Sequence, residues 1–293
     1  MEKFLAGIIV YSPDKSILNL INALIEQKVE VLLFINKSDS FIDEIIKKKN
    51  LNTISLGFNA GVSVGLNYII KKFLNSNYEF LFTFDQDSMI DDNYVRIMVD
   101  NYKNALKIDK NVVCLSPKII DEKFDKEELI KINYSKSRNV SKFKNVKFSI
   151  TSGSLFIKNS FLKVGLMNDH LFIDGVDTDW CERAVLKKQK LLKSNNVFLK
   201  HKIGNKFINV FGIKKSYHQL DLRVYYIVRN SIYLILYGEN RIYWKIVELQ
   251  RTIVRTLAYP LLSLNKFKTL LIIILAIKDG FKKDMGKMKY INH

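Results

Sequence analysis

The chain has 293 residues, 48% hydrophobic and 26% charged, a globular balance that excludes wholesale disorder; 12 glycines and 3 prolines exclude collagen-like or proline-rich material. Two cysteines, Cys114 and Cys181, are too few for a disulfide framework and lack zinc-site spacing, so a reducing, cytosolic setting is expected. Lys and Arg number 47 against 29 Asp and Glu, and the net charge of +18 calls for an anionic partner: a phosphorylated substrate, a phospholipid surface or nucleic acid.

Phe4–Val10 is a continuous apolar run followed at once by Tyr-Ser-Pro-Asp, with no small-residue cleavage site, and it reads as a buried strand rather than a signal peptide. Ser16–Gln27 has helical spacing through Ile17, Leu20, Ile21 and Leu24. Val29–Ile35 reads as a second strand, Phe41–Lys49 as a helix and Leu51–Leu56 as a short strand. A glycine-bearing turn then leads into a helix over Val62–Leu74, and the solid apolar run Phe80–Phe84 ends at Asp85-Gln86-Asp87. Solid strands alternating with amphipathic helices predict parallel βαβ units with the sheet covered on both faces. Ligands of such sheets bind beyond the carboxyl ends of the strands, which places Tyr11, Asn36, Asn59 and Asp85 on one rim.

After Val112–Ser116 the pattern weakens. Lys118–Lys147 holds 9 Lys and Arg against 5 Asp and Glu and reads as an irregular surface excursion. Strand character returns over Phe148–Ile157, a loop leads into a helix over Asp174–Gln189, and Leu191–Leu199 returns to the sheet and ends at His201. Everything from Tyr217 onwards reads as helix: Tyr217–Tyr237, Tyr243–Leu264 and Lys268–Phe281. The expected organisation is one α/β domain over residues 1–215 with a helical tail over 216–293. The apolar run Leu270–Ile277 is too short to span a bilayer. From Gly238 onwards 11 basic residues face 4 acidic ones, a balance of +7, so the tail is expected to dock on the anionic cytoplasmic face of the membrane. Packing of these helices on the domain, or into a homodimer, is the other reading.

Five constellations carry chemistry. Asp85-Gln86-Asp87 places two carboxylates one residue apart at the end of a buried strand, where hard oxygens suit Mg2+ or Mn2+ shared with a diphosphate; an acidic turn with Asp91 or Asp92 capping the next helix is the plainer alternative. In Gly57–Asn67 small residues at a helix start would let backbone N–H groups approach an anion or a sugar, with Asn59 as a cap and Asn67 near the same face, or would simply pack the helix on the sheet. The segment Phe172–Trp180 holds Asp174, Asp177 and Asp179 beside Trp180. One carboxylate there suits a general base, with the Trp against a sugar; alternatively Asp177 caps the helix and Asp179 pairs with Arg183. His201 is a strand-end histidine with either a structural or a metal-binding role. Arg223 and Arg229, six residues apart, are candidates to neutralise phosphate or are ordinary helix-surface charges.

Taken in order, Asn59-x-Gly61, DQDS at 85–88, TSGSLF at 151–156, FIDGVDTDW at 172–180, His201-x-x-Gly204 and RVYYIVRN at 223–230 resemble the family 2 inverting glycosyltransferases of GT-A fold, and among them the bacterial rhamnosyltransferases. The resemblance covers about residues 4–235, and DQDS with FIDGVDTDW carries most of it. It implies an α/β fold in which a Rossmann-like nucleotide-binding half joins an acceptor half over a mixed, mostly parallel sheet. It also implies a Mg2+ or Mn2+ cofactor and a nucleotide-sugar donor, dTDP-L-rhamnose by the branch it resembles. The acceptor implied is a saccharide, carried on a polyprenyl diphosphate, of a bacterial surface polysaccharide. By the same resemblance Asp85 contacts the donor, Asp87 holds the metal, Asp177 is the base and His201 helps bind metal or diphosphate. Tyr11 and Ser12 line the nucleotide pocket with Asn36, Asn59, Gly61, Asn67 and Arg229, while Asp174, Asp179, Trp180, Ser152 and Gly153 fall on the acceptor or secondary side.

The sequence departs from that family at the end of the second strand. Ile35 of Phe34-Ile35-Asn36-Lys37-Ser38 stands where an Asp that reads the base is usual, so base recognition falls to Asn36, a neighbour or backbone groups. This departure supports the competing reading, a basic surface-binding or nucleotide-sugar-binding protein of the same fold without catalysis. No RNP, zinc-knuckle or helix-turn-helix pattern supports nucleic acid as the partner.

Overall fold

A computed structural model of the chain describes residues 2–121, 142–201, 206–210, 213–217 and 221–289. An eight-stranded sheet has the order β3-β2-β1-β4-β7-β5-β8-β6. β1 (Phe4–Tyr11), β2 (Glu30–Lys37), β3 (Asn52–Ser55) and β4 (Phe80–Asp85) are mutually parallel and form the Rossmann-like half. In the other half β7 (Ser154–Phe156) runs antiparallel to both β4 and β5 (Val112–Asp121). β8 (Lys190–His201) pairs parallel with β5, and β6 (Phe143–Val146) pairs antiparallel with β8. The sheet is therefore mixed and mostly parallel, as expected.

Both faces of the sheet are covered because both faces of each central strand are apolar. Along β1, Ala6, Ile8 and Val10 face one core and Leu5 and Ile9 the other, the period-2 alternation of a strand with no solvent side. The first core takes α1 (Ser16–Glu26), α2 (Ser40–Lys49) and α4 (Tyr94–Ile108). The second takes α3 (Val62–Leu74), α5 (Lys158–Val164) and α6 (Val176–Leu186). α3 lies close against the sheet because Gly65 has no side chain: a Cβ there would stand 2.7 Å from the Phe34 ring and 2.8 Å from Ile9.

Three helices complete the chain: α7 (Asp221–Tyr237), α8 (Ile242–Leu262) and α9 (Lys266–Lys282). α7 is built into the α/β body, since Leu234 joins the second core and Val224, Tyr225 and Val228 form a third with Phe172, Ile272 and Ile273. Both cysteines are buried and free. No described helix is long and apolar enough to cross a membrane.

Three local expectations change. The strand expected over Phe148–Ile157 shortens to β7, because the chain turns at Thr151–Ser154, where Ser154 N–H bonds to Thr151 O and Gly153 adopts φ +73°. The start of α4 is not capped by Asp91 or Asp92. Gln27 Oε1, 68 residues away in sequence, accepts from Val95 N–H instead. An antiparallel hairpin of β9 (Lys206–Val210) and β10 (Ile213–Tyr217) precedes α7, in a stretch to which the sequence reading assigns no element. Of the basic excursion, residues 122–141 lie outside the described residues; β5 and β6 occupy its two ends.

Candidate active site

The parallel strands β1, β2 and β4 end side by side, which brings Tyr11, Asn36 and Asp85 to one rim. Gln86, between the two aspartates, ties the rim together: its Oε1 accepts from Tyr11 N–H at 2.8 Å and its Nε2 donates to Tyr11 O at 3.1 Å. The turn 151–154 is fastened to the end of β4. Gly153 N–H donates to Thr83 O (2.7 Å), Thr83 Oγ1 donates to Thr151 O (2.6 Å), and Ser152 Oγ accepts from Asp85 N–H (3.1 Å) and meets Ser88 Oγ at 2.8 Å. Thr151 in turn hydrogen-bonds Asp177 through both its side chain and its backbone. Three motifs scattered over 92 residues of sequence, at 85–88, 151–154 and 177, thus meet at one point.

Asp177 sits in the first turn of α6, and its carboxyl is pushed up to about 7. Burial is the main cause, the negative charge of Asp85 adds to it, and the bonds from Thr151 act in the opposite direction. A carboxyl poised near neutrality beside a second carboxylate suits general-base work.

The loop that delivers Asp177 is gripped from two sides. Phe172 O accepts from Val62 N–H (2.7 Å) and Ser63 N–H (3.3 Å), so the N-terminus of α3 is satisfied by this loop and is not open to an anion, which corrects that expectation. Asn67, expected near the ligand, is buried and clamps Met167 instead, accepting from its N–H and donating to its O, both at 2.9 Å. From the opposite side Asn230 Nδ2 donates to Leu171 O, Ile173 O and Asp174 O at 2.7–2.9 Å. Between these grips Phe172 and Asp174 have positive φ (both 62°), strain that persists because the surroundings hold it, and Gly175 takes the left-handed conformation (78°) that suits a glycine.

Other sequence candidates serve the scaffold. Asn36 is 8% exposed, and its amide is spent on the loop before α3, accepting from Ala60 N–H and donating to Gly61 O. Asn59 Oδ1 accepts from Gly61 N–H, so it closes a turn rather than capping the helix. Trp180 lies in the core at 2% exposure, its Nε1–H donating to Gly165 O and its ring against Phe156 and Phe161; burial removes it from any sugar. Asp179 is buried and paired with Arg183 at 2.9 Å, the helical i,i+4 pairing. Arg229 is fully buried, stacked on Tyr225 and Tyr226, and donates to Gly286 O, Leu171 O and Asn230 Oδ1, which leaves it no reach to a phosphate. Ile35 belongs to the first core. At the rim Tyr11 is 49% exposed with Lys37 Nζ over its ring, and Ser12, at φ 41°, follows it. The backbone of His201 pairs with Asp121 at the end of β8; its side chain lies outside what is described.

A cavity of 1110 Å³ lies between the start of α6 and helices α7 and α8. Asp174 lines it. Its Oδ1 accepts from Arg223, while its buried Oδ2 has no partner. Among the described residues no three His, Cys, Asp or Glu side chains converge as a metal cluster. Asp85 and Asp87 nevertheless offer hard carboxylate oxygens at the end of β4, and the charge of Asp85 reaches Asp177, so this donor set fits a divalent cation.

A Rossmann-like half joined to a mixed half, with an acidic turn at β4 and a half-buried carboxyl beside it, is the architecture of a GT-A glycosyltransferase. The family model Glycosyl transferase family 2 matches residues 6–165, more than half of the chain, and the protein belongs to that family. It is 28% identical over 297 residues to the dTDP-rhamnosyl transferase RfbF of Shigella flexneri, with 97% of each chain covered. Among solved structures it is similar to S. aureus TarS 1-349 in complex with UDP-GlcNAc (TM-score 0.56, 16% identity, 96% of this chain and 81% of that one). It is also similar to GalNAc-T7 with UDP, GalNAc and Mn2+ (TM-score 0.54, 14% identity, 78% of this chain), of which it spans about half, 47%. At such identities these structures show the fold alone.

Proposed function

We propose that this glycosyltransferase moves L-rhamnose from dTDP-L-rhamnose, with inversion, to a hydroxyl of a saccharide carried on a polyprenyl diphosphate at the cytoplasmic membrane face. The observation that supports this reading is Asp177, a half-buried carboxyl held near neutrality beside the acidic turn of β4. The choice of sugar rests on the similarity to a dTDP-rhamnosyl transferase along nearly the whole of both chains. In this reading residues 1–215 carry the transfer, with α7 of the following segment holding the Asp177 loop, and the rest of residues 216–293 attaches the protein to the membrane surface.

In the proposed step the acceptor oxygen attacks the anomeric carbon from the face opposite the diphosphate. Its proton passes to Asp177, the new carbon–oxygen bond forms, and the old bond breaks with its electron pair leaving on dTDP. Asp85 would hold the donor, and Asp87 with His201 would hold Mg2+ or Mn2+. When bound, such a cation neutralises the charge developing on the leaving diphosphate. Tyr11, Ser12 and the backbone at the end of β2 receive the nucleoside, since Ile35 is buried and the Asn36 amide is already committed. Ser152 positions Asp85 through its backbone N–H.

The test is donor turnover by the full chain with Mn2+, against EDTA and against Asp87→Ala. Hydrolysis of dTDP-L-rhamnose that disappears in EDTA and in the variant, while the folded state melts normally, is the expected result. Full turnover in EDTA defeats the metal assignment. No turnover of any nucleotide-sugar by the metal-loaded parent chain favours the non-catalytic reading.

A further inference from the structure

α8 and α9 form a hairpin packed on α7, and each leaves one face uncovered. On α8 the face consists of Ile246 (52% exposed), Ile253 (52%), Leu257 (68%) and Leu261 (72%), spaced four or seven residues apart on one side of the helix. On α9 it consists of Phe267 (72%), Leu271 (50%) and Ile274 (55%). Both faces run into the turn at 263–265, where Leu264 is 89% exposed. So many exposed large apolar side chains on the two helices of one hairpin mark an interaction site.

Charge decides the occupant. Between Ile242 and Lys282 the chain carries seven Lys and Arg and two carboxylates, Glu248 and Asp279. Both carboxylates are buried: Glu248 takes Ser231, Arg251 and Arg255, and Asp279 accepts from Tyr225 Oη. The hairpin therefore shows solvent only basic groups around its apolar face. On the helical wheel Lys245 and Arg251 flank the α8 stripe, Lys266 and Lys268 stand at the start of the α9 stripe, and Lys278 and Lys282 continue it. A second copy of this chain laid on the face would bring basic rim against basic rim. An anionic bilayer accepts the apolar side chains below its headgroups and the lysines among its phosphates.

We infer that the α8–α9 hairpin is a membrane-docking surface, with its apolar face set into the headgroup region of an anionic leaflet and its lysines on the lipid phosphates. This deepens the membrane location proposed above by naming the surface. The opposite flank of α8, through Trp244, Glu248, Arg255 and Tyr259, walls the cavity that holds Asp174. Docking on this hairpin therefore sets that cavity beside the bilayer, within reach of a lipid-anchored acceptor.

The experiment is flotation of the full chain with vesicles of phosphatidylcholine containing 30% phosphatidylglycerol, against pure phosphatidylcholine, in low and high salt. Parent protein should float with the anionic vesicles at least tenfold better than with neutral ones, and salt should weaken it. Leu257→Glu with Leu261→Glu, at sites already exposed, should lose at least tenfold in binding while keeping its melting temperature and its donor hydrolysis. Lys266→Gln with Lys278→Gln should float less on anionic vesicles and lose much of the salt dependence. Parent chain left at the bottom of the gradient, or a Leu257/Leu261 variant that floats as well as the parent, overturns the inference. So does a parent dimer in light scattering that this variant converts to monomer. Donor hydrolysis measured without vesicles reports on the transferase reading separately.

Discussion

At Asp177, burial and the charge of Asp85 act against two hydrogen bonds from Thr151, and burial wins, lifting the carboxyl from 3.8 to about 7. A general base must be ionised, so transfer should rise with pH through about 7 and level off above it. The same shift affects stability. Between pH 3.8 and about 7 the native state keeps a proton that the unfolded chain has lost, so stability falls as pH rises across that window. Asp177→Asn should therefore melt higher than the parent above pH 7 in EDTA, converge with it below pH 4, and lose roughly 10²–10⁴-fold in transfer while still binding dTDP. Equal melting curves at every pH count against the burial argument, and retained transfer moves the base elsewhere. Trp180 makes the opposite case, because its indole N–H bonds Gly165 O inside the core. Trp180→Phe should cost about 1–3 kcal/mol in chemical denaturation and leave the KM for acceptor unchanged; a selective rise in that KM speaks for sugar stacking after all.

Among the elements, the loop before α6 depends on two helices that grip it. Gly61 has φ +87°, and a Cβ there would stand 2.5 Å from the Phe172 ring and 2.6 Å from Phe172 O. Gly61→Ala should therefore cost about 1–3 kcal/mol from the backbone alone and displace Phe172 as well. On the other side Asn230→Ala strips a donor from three loop carbonyls, at a cost of about 1–3 kcal/mol for each one left buried and unpaired. Both variants should lower kcat more than they weaken dTDP binding, since the proposed nucleotide rim lies on β1, β2 and β4 while the loop carries the proposed base. Isothermal titration with dTDP beside steady-state rates checks this, and a purely affinity-driven loss contradicts it.

For the whole molecule, the tail is structural before it is anything else. Ile272, Ile273 and Ala276 of α9 cover α7, and α7 holds the loop before α6 through Asn230. Ending the chain at Gly238 exposes that face of α7, and each of the two isoleucines takes roughly 1.5–3 kcal/mol of burial with it. The shortened chain should melt well below the parent and lose transfer as well as vesicle binding. An unchanged melting curve would show instead that the α/β body stands without α8 and α9.

Local pattern alone determined most of the first half. The apolar runs of β1, β2 and β4 and the i, i+3, i+4 spacing of α1 and α3 carry their own instructions, because a strand with two apolar faces and a helix with one have few ways to be buried. The acidic turn at 85–87 and the carboxylates at 174–179 were legible for the same reason, as was the apolar, basic character of the tail. What the sequence left open was which carboxylate is poised and which polar residues are scaffold. Asp177 differs from Asp179 only in its surroundings, one near Thr151 and Asp85 and the other paired with Arg183. Gln86, Asn67, Asn230 and Arg229 look alike as polar side chains on paper, yet the first fastens the rim and the others hold the loop through partners about 57–100 residues away. Such roles depend on long-range contacts and on the loss of water around a charge, and neither exists until the chain has folded.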